Sequence, residues 1–230
     1  MKHLVTAGLI LALAACSPRK DEQASADATA PQAIAPVTTV APPGDYTLDK
    51  SHASLFFRVN HLGFSHYTAR FSQFDAKLLF DPAHPTDMRV DATIDANSLG
   101  LENPPPGFLG TLRGPEWLDT ATYPQIAFST TSVTLTGPSS ARITGDLTLH
   151  GTTKPVTLRA NFNGGYAGHP MDPHARVGFS ALGTFKRSEF GVAYGIPAPG
   201  TTMGVSDEVE VFIEAEFSGP PLPAEAPKPN

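Results

Sequence analysis

The chain has 230 residues, with 16 lysine and arginine side chains against 22 aspartate and glutamate, for a formal net charge of −6. That balance gives no electrostatic footprint for nucleic acid and no juxtamembrane basic patch. The single cysteine excludes an internal disulfide.

Residues 1–15, MKHLVTAGLILALAA, read as a processing signal. Lys2 and His3 form a short positive segment, and residues 4–14 form an apolar run too short to span a bilayer. Leu13-Ala14-Ala15-Cys16 resembles the bacterial lipobox, whose cysteine becomes the lipidated N-terminus of the mature protein. An ordinary secretory signal with a stray cysteine is the other reading, and it leaves a free exported thiol unexplained. Ser17 follows the cysteine where an aspartate would resemble an inner-membrane retention signal, so a lipoprotein of the outer membrane, facing the periplasm, is expected. Residues 16–44 are rich in Ala, Pro, Thr and Ser and read as a disordered tether, with a reach on the order of 30 Å. Residues 218–230, SGPPLPAEAPKPN, read as a second structureless tail.

Between them, residues 45–217 alternate like strands. Leu55, Phe57 and Val59 share one face, opposite Phe56, Arg58 and Asn60. In the run 67–80 the phase slips at Ser72 and Gln73, from Phe71 to Phe74, Ala76, Leu78 and Phe80, which predicts a bulge. Met88, Val90, Ala92, Ile94 and Ala96 form the cleanest one-sided strand. Phe108, Leu109, Leu112, Trp117 and Leu118 have a loosely helical spacing, broken by Gly110, Gly114 and Pro115, so one or two helical turns are expected there. After a run at 124–136, Ile143, Gly145, Leu147 and Leu149 alternate with polar residues. Val156, Leu158, Ala160 and Phe162 do so again after a turn at Gly151, which makes a β-hairpin. Pro155 sits early in its second arm, where a missing N–H is tolerated. A run at 175–186 and a last strand with Val209, Val211, Ile213, Ala215 and Phe217 on one face complete the series. About eight or nine strands with one wet face and almost no helix make an all-β sandwich or up-and-down barrel, and the pattern does not choose between them.

Five segments, taken in order, resemble the YceI-like family of bacterial envelope proteins: YTLDKSHASLFFRVNHLG, YPQIAFST, GDLTLHGTTKPVTL, RSEFGV and DEVEVFIEAEF. The resemblance covers most of residues 45–217. It implies an antiparallel lipocalin-like eight-stranded barrel with one short helical element, which binds polyisoprenoids and similar long-chain amphiphiles. One segment departs from it. Family members commonly carry Arg-Asp and His-Leu pairs where this chain reads FLGTLRGPEWLDTATYP, with Leu112, Gly114 and Trp117, so a head-group contact does not carry over there.

The inward set is apolar, which suits a long apolar chain: each buried methylene contributes about 0.8 kcal/mol. Leu55, Phe57, Val59, Phe71, Phe128 and Phe185 are the candidate wall of such a site, and filling the core is the other use of the same residues. His52, Arg58 and His61 are the candidates for contacts near the ligand's polar end, His52 and His61 matching family histidines by the resemblance. No resident cofactor is expected beyond a bound polyisoprenoid or quinone. His169, Met171, Asp172 and His174 cluster in a proline-rich loop whose spacing is weak for copper, and no metal site is assigned. No nucleophile elbow, phosphate loop or zinc helix occurs, and nothing in the spacing ties Ser188 to a histidine, so no enzyme is expected. The chain thus reads as a lipid-anchored periplasmic barrel that binds a long-chain isoprenoid or quinone-type lipid. An envelope interaction or redox-partner protein with a filled core is the alternative, and Phe56 and Phe212 on the polar face leave a homodimer contact open.

Overall fold

The computed structural model describes residue 35 and residues 37–222. The processing signal, Cys16, most of the tether and residues 223–230 lie outside them.

The alternating runs become ten strands: β1 (Gly44–His61), β2 (Ser65–Phe71), β3 (Phe74–Phe80), β4 (Arg89–Asp95), β5 (Leu99–Leu101), β6 (Gln125–Gly137), β7 (Ser140–Leu149), β8 (Thr152–Tyr166), β9 (His174–Lys186) and β10 (Val205–Pro221). The expected helical element is α1 (Phe108–Arg113), which runs through Gly110 and stops at an extended Gly114. Strands pair in the order β1–β10–β9–β8–β7–β6–β4–β3, and β3 returns to β1, so the sheet closes on itself. The fold is a closed antiparallel eight-stranded barrel, lipocalin-like, and the sandwich alternative falls.

The slip at Ser72 and Gln73 divides one bent stave into two. Gly44 to Thr47 of β1 pair with β3, whereas Leu55 to His61 pair with β2. The next stave bends with it, β4 lying on β3 and the short β5 on β2. The β7–β8 hairpin turns through His150 (φ 50°) and Gly151 (φ 72°), the two positive values that a two-residue turn needs to follow the strand twist. Pro155 pairs with Asp146 of β7, in the part of β8 that does not yet pair with β9.

Both domain boundaries shift. Ala41 is 3% exposed and the Val37 amide donates to the Pro138 carbonyl (2.8 Å), so the end of the expected tether packs on the barrel. β10 runs past Phe217 to Pro221, which pairs with His174, so the expected tail at 218–230 starts inside a strand.

Two packed clusters sit at opposite ends of the barrel. Tyr46, Leu78, Phe80, Val177 and Phe217 fill the end where β1 begins. Ile126, Leu149, Val156 and Phe190 pack towards the other, with Phe190 fully buried and edge-on to Phe185 at 5.3 Å. Tyr46 is 1% exposed, packs edge-on against Phe80 and donates its hydroxyl to the Pro42 carbonyl at 2.7 Å. Burial pushes its pKa up from 10.0 to about 12. The folded state therefore favours the neutral phenol: the stabilisation is whole below the unfolded pKa of about 10 and is lost as pH rises through about 12. Urea midpoints measured from pH 9 to 12 should fall along this window, and Tyr46→Phe should flatten that fall while costing about 1 kcal/mol at pH 7. An unchanged alkaline slope in Tyr46→Phe would assign it to other groups.

An apolar cavity in the barrel and the arginine at its rim

Inward side chains can just fill an eight-stranded barrel. Here many inward positions are alanine: Ala69, Ala76, Ala92, Ala160, Ala181 and Ala215 all face the interior wall. Gly145 of β7 also points inward, and a Cβ there would run into the Phe128 ring. These small residues leave a cavity of about 800 Å³ inside the barrel, lined almost entirely by apolar side chains that include members of both clusters. Its volume is in the usual range for ligand pockets, roughly 300–1,000 Å³.

The six candidate wall residues Leu55, Phe57, Val59, Phe71, Phe128 and Phe185 all line this cavity, with Phe57 stacked on Phe71 at 5.6 Å. His61 reaches its rim from the end of β1. Arg58 and His52 do not line it, which corrects their assignment to the ligand's polar end. Arg58 sits between two inward residues and so points outward, where it pairs with Glu210 and covers the Phe212 ring at 4.8 Å. Phe56 and Phe212, facing each other across β1 and β10, are half-buried rather than exposed.

His52 lies in a bulge where residues 49–52 of β1 face one residue of β10. Its Nδ1 is 3.0 Å from Asp49 Oδ2, and Asp49 also accepts from the Ser51 hydroxyl and pairs with Arg176. Those bonds, led by Ser51, hold the Asp49 carboxyl well below the usual carboxylate range, and the bond to Asp49 raises the pKa of His52. Asp49, His52 and Glu216 bring metal-type ligand atoms within 4.8 Å of one another, but the Arg176 guanidinium already supplies the positive charge at Asp49. In the 169–174 loop, the Asp172 carboxylate is taken by the Tyr166 hydroxyl and by Arg176 Nε at 2.6 Å.

Sequence reasoning missed Arg187. After β9 the chain makes a 3-10 turn, Arg187–Phe190, closed by Gly191 at φ 82°. That turn drives Phe190 into the core and Arg187 into the cavity wall. Arg187 is only 4% exposed. Its Nε donates to the Ser206 carbonyl (2.9 Å), Nη1 to Val192 (2.8 Å) and Tyr194 (2.9 Å), and Nη2 to Val205 (2.9 Å). No ion pair among the described residues includes it. Asp207 is near enough to favour the cation, yet its carboxylate is engaged by the Ser188 amide (2.9 Å) and hydroxyl (2.8 Å). Burial pushes the Arg187 pKa below its ordinary value. The guanidinium lies over the Trp117 ring at 5.2 Å, and Trp117, also on the cavity wall, packs against the half-exposed Tyr194 at 5.5 Å. The available signal was a strand-ending arginine followed by a glycine that closes a turn.

A closed antiparallel β-barrel around an apolar cavity defines a lipocalin-like fold. The chain belongs to the YceI-like family, whose domain it matches over residues 46–217. It is 38% identical to Protein YceI of Escherichia coli O157:H7 over 177 residues, 75% of this chain and 85% of that protein. The crystal structure of BcnA from Burkholderia cenocepacia matches with a TM-score of 0.63 at 25% identity, covering 74% of this chain and 98% of that one. A polyisoprenoid-binding domain from Saccharophagus degradans, implicated in plant cell wall breakdown, shares the fold with a TM-score of 0.55 at 15% identity, over 76% and 98% of the two chains.

Proposed function

We propose that this protein is a non-enzymatic envelope barrel that takes a long-chain lipid of isoprenoid or quinone type into its interior. The observation that carries this reading is the cavity of about 800 Å³ with its apolar wall. Ten buried methylenes contribute about 8 kcal/mol, enough to offset much of the cost of association without polar recognition. The cavity also argues against a filled-core interaction protein. The polyisoprenoid-binding neighbour makes that ligand class the first to test. Native mass spectrometry of the full chain, purified from a bacterial envelope, should show a co-purifying lipid at near-unit occupancy. A chain that stays free after incubation with quinones and polyprenols would overturn the proposal.

The same proposal places the protein at the periplasmic face of the outer membrane, held by a lipid on Cys16, which lies outside the described residues. Cys16→Ala should move the protein from the membrane to the soluble periplasmic fraction. A variant that still sediments with membranes would refute the anchor.

A further inference from the structure

The rim of the cavity holds more hydrogen-bond donors than the protein's own acceptors use. A guanidinium has five N–H groups. The four bonds from Arg187 to backbone carbonyls leave one, on Nη2, without an acceptor among the described residues. Trp117, whose ring face lies 5.2 Å from the guanidinium, has a buried Nε1–H that likewise has none. A buried cation without a paired carboxylate, next to an orphaned N–H donor, is costly unless something supplies the missing acceptor.

We propose that Arg187 and Trp117 form a head-group subsite, and that the cavity's ligand ends in an anionic oxygen group, a carboxylate or a phosphate. Its oxygens accept from Arg187 Nη2 and Trp117 Nε1, while its chain runs inward along Phe57, Phe71 and Phe185. This rests on reading the cavity as a lipid site. A carboxylate and a phosphate share the chemistry the subsite reads: acceptors only, with a charge that answers the guanidinium. An alcohol answers neither need fully. The position also fits, because Tyr194, packed on Trp117, is 52% exposed and marks this rim as the wet end of the cavity. Arg89 touches the cavity at the opposite end, but it is only half-buried and spends Nη1 on the Thr86 and Met88 carbonyls.

Trp117 is the only tryptophan in the chain, so its fluorescence reports on the subsite directly. The delipidated full chain would be titrated with geranylgeranyl phosphate, geranylgeraniol, palmitate and hexadecanol, following Trp117 emission and calorimetric heat. Each anion should bind at least tenfold tighter than the alcohol of the same chain and shift the emission. Whichever anion gains more names the source, polyprenyl phosphate or fatty acid. Arg187 variants are compromised by loss of the carbonyl cradle, so Trp117→Phe carries the mutational arm, read by calorimetry; it should narrow the anion-to-alcohol ratio about fivefold. Equal binding of anions and alcohols would overturn the subsite and leave the lipid cavity standing. A ratio kept in Trp117→Phe but lost in Arg89→Gln would overturn it too. Failure of all four probes to bind would remove the lipid reading itself.

Discussion

Arg187→Ala is expected to lower the unfolding free energy by about 3–5 kcal/mol, a large part of a typical stability of about 5–15 kcal/mol. The side chain ties together the carbonyls of Val192, Tyr194, Val205 and Ser206, which belong to the connection between β9 and β10 and to the first two residues of β10 itself. Alanine leaves these acceptors facing one another around a void. Each unsatisfied buried acceptor costs about 1–3 kcal/mol, and water entering at the rim recovers part of the sum. Arg187→Lys keeps the charge but gathers its donors on one atom, so it should lose about half as much. Urea denaturation checks both. An alanine variant within about 1 kcal/mol of the parent would show that the carbonyls find other partners.

Ala181→Trp should reduce long-chain lipid uptake roughly 100-fold while leaving the barrel folded. Ala181 faces the cavity from β9, in register with Ala160 of β8 and Ile213 of β10. An indole there projects into open lumen and displaces about four methylenes of bound chain, or about 3 kcal/mol at 0.8 kcal/mol each. That loss corresponds to a factor of roughly 100 in affinity. The surrounding space, about 800 Å³ in all, accepts the ring without forcing the wall apart. Uptake and urea midpoint would be measured together. Unchanged uptake would mean that the chain lies elsewhere.

The barrel staves were legible because one face of each is apolar with a period of two, from Phe57 and Val59 through Val209 and Phe217. That rule also places Arg58 outward, between Phe57 and Val59, so its assignment to the ligand's polar end ran against the pattern that found the strand. The hollow was less legible, since alternation reports which face a residue takes and not whether facing residues meet. The clue was present as inward alanines such as Ala76, Ala92 and Ala160, whose small volume matters only once eight strands close around them. His52 was misplaced because residues 49–52 form a bulge that alternation does not reveal. Ser218 to Pro221 read as a tail, since proline lacks the N–H of a regular ladder, yet β10 carries them against β9. Arg187 was missed for another reason: its partners are backbone carbonyls, which have no sequence signature, and only the glycine that closes the turn after β9 hinted at it.

The seam between β1 and β10 also fixes the order in which the molecule can be completed. Arg58 and Glu210, which face each other across it, are 152 positions apart. Joining such distant segments adds little entropy cost over a loop half as long, about 0.6 kcal/mol per doubling, but pairings of this range form slowly. Until the last strand arrives, β1 presents a row of unpaired amides and carbonyls to any other chain nearby. The lining residues Val209, Val211 and Phe217 arrive on that same strand. A nascent or C-terminally clipped chain therefore has a curved sheet with two open edges, on β1 and β9, and no closed interior, and the lumen forms all at once when the final stave docks.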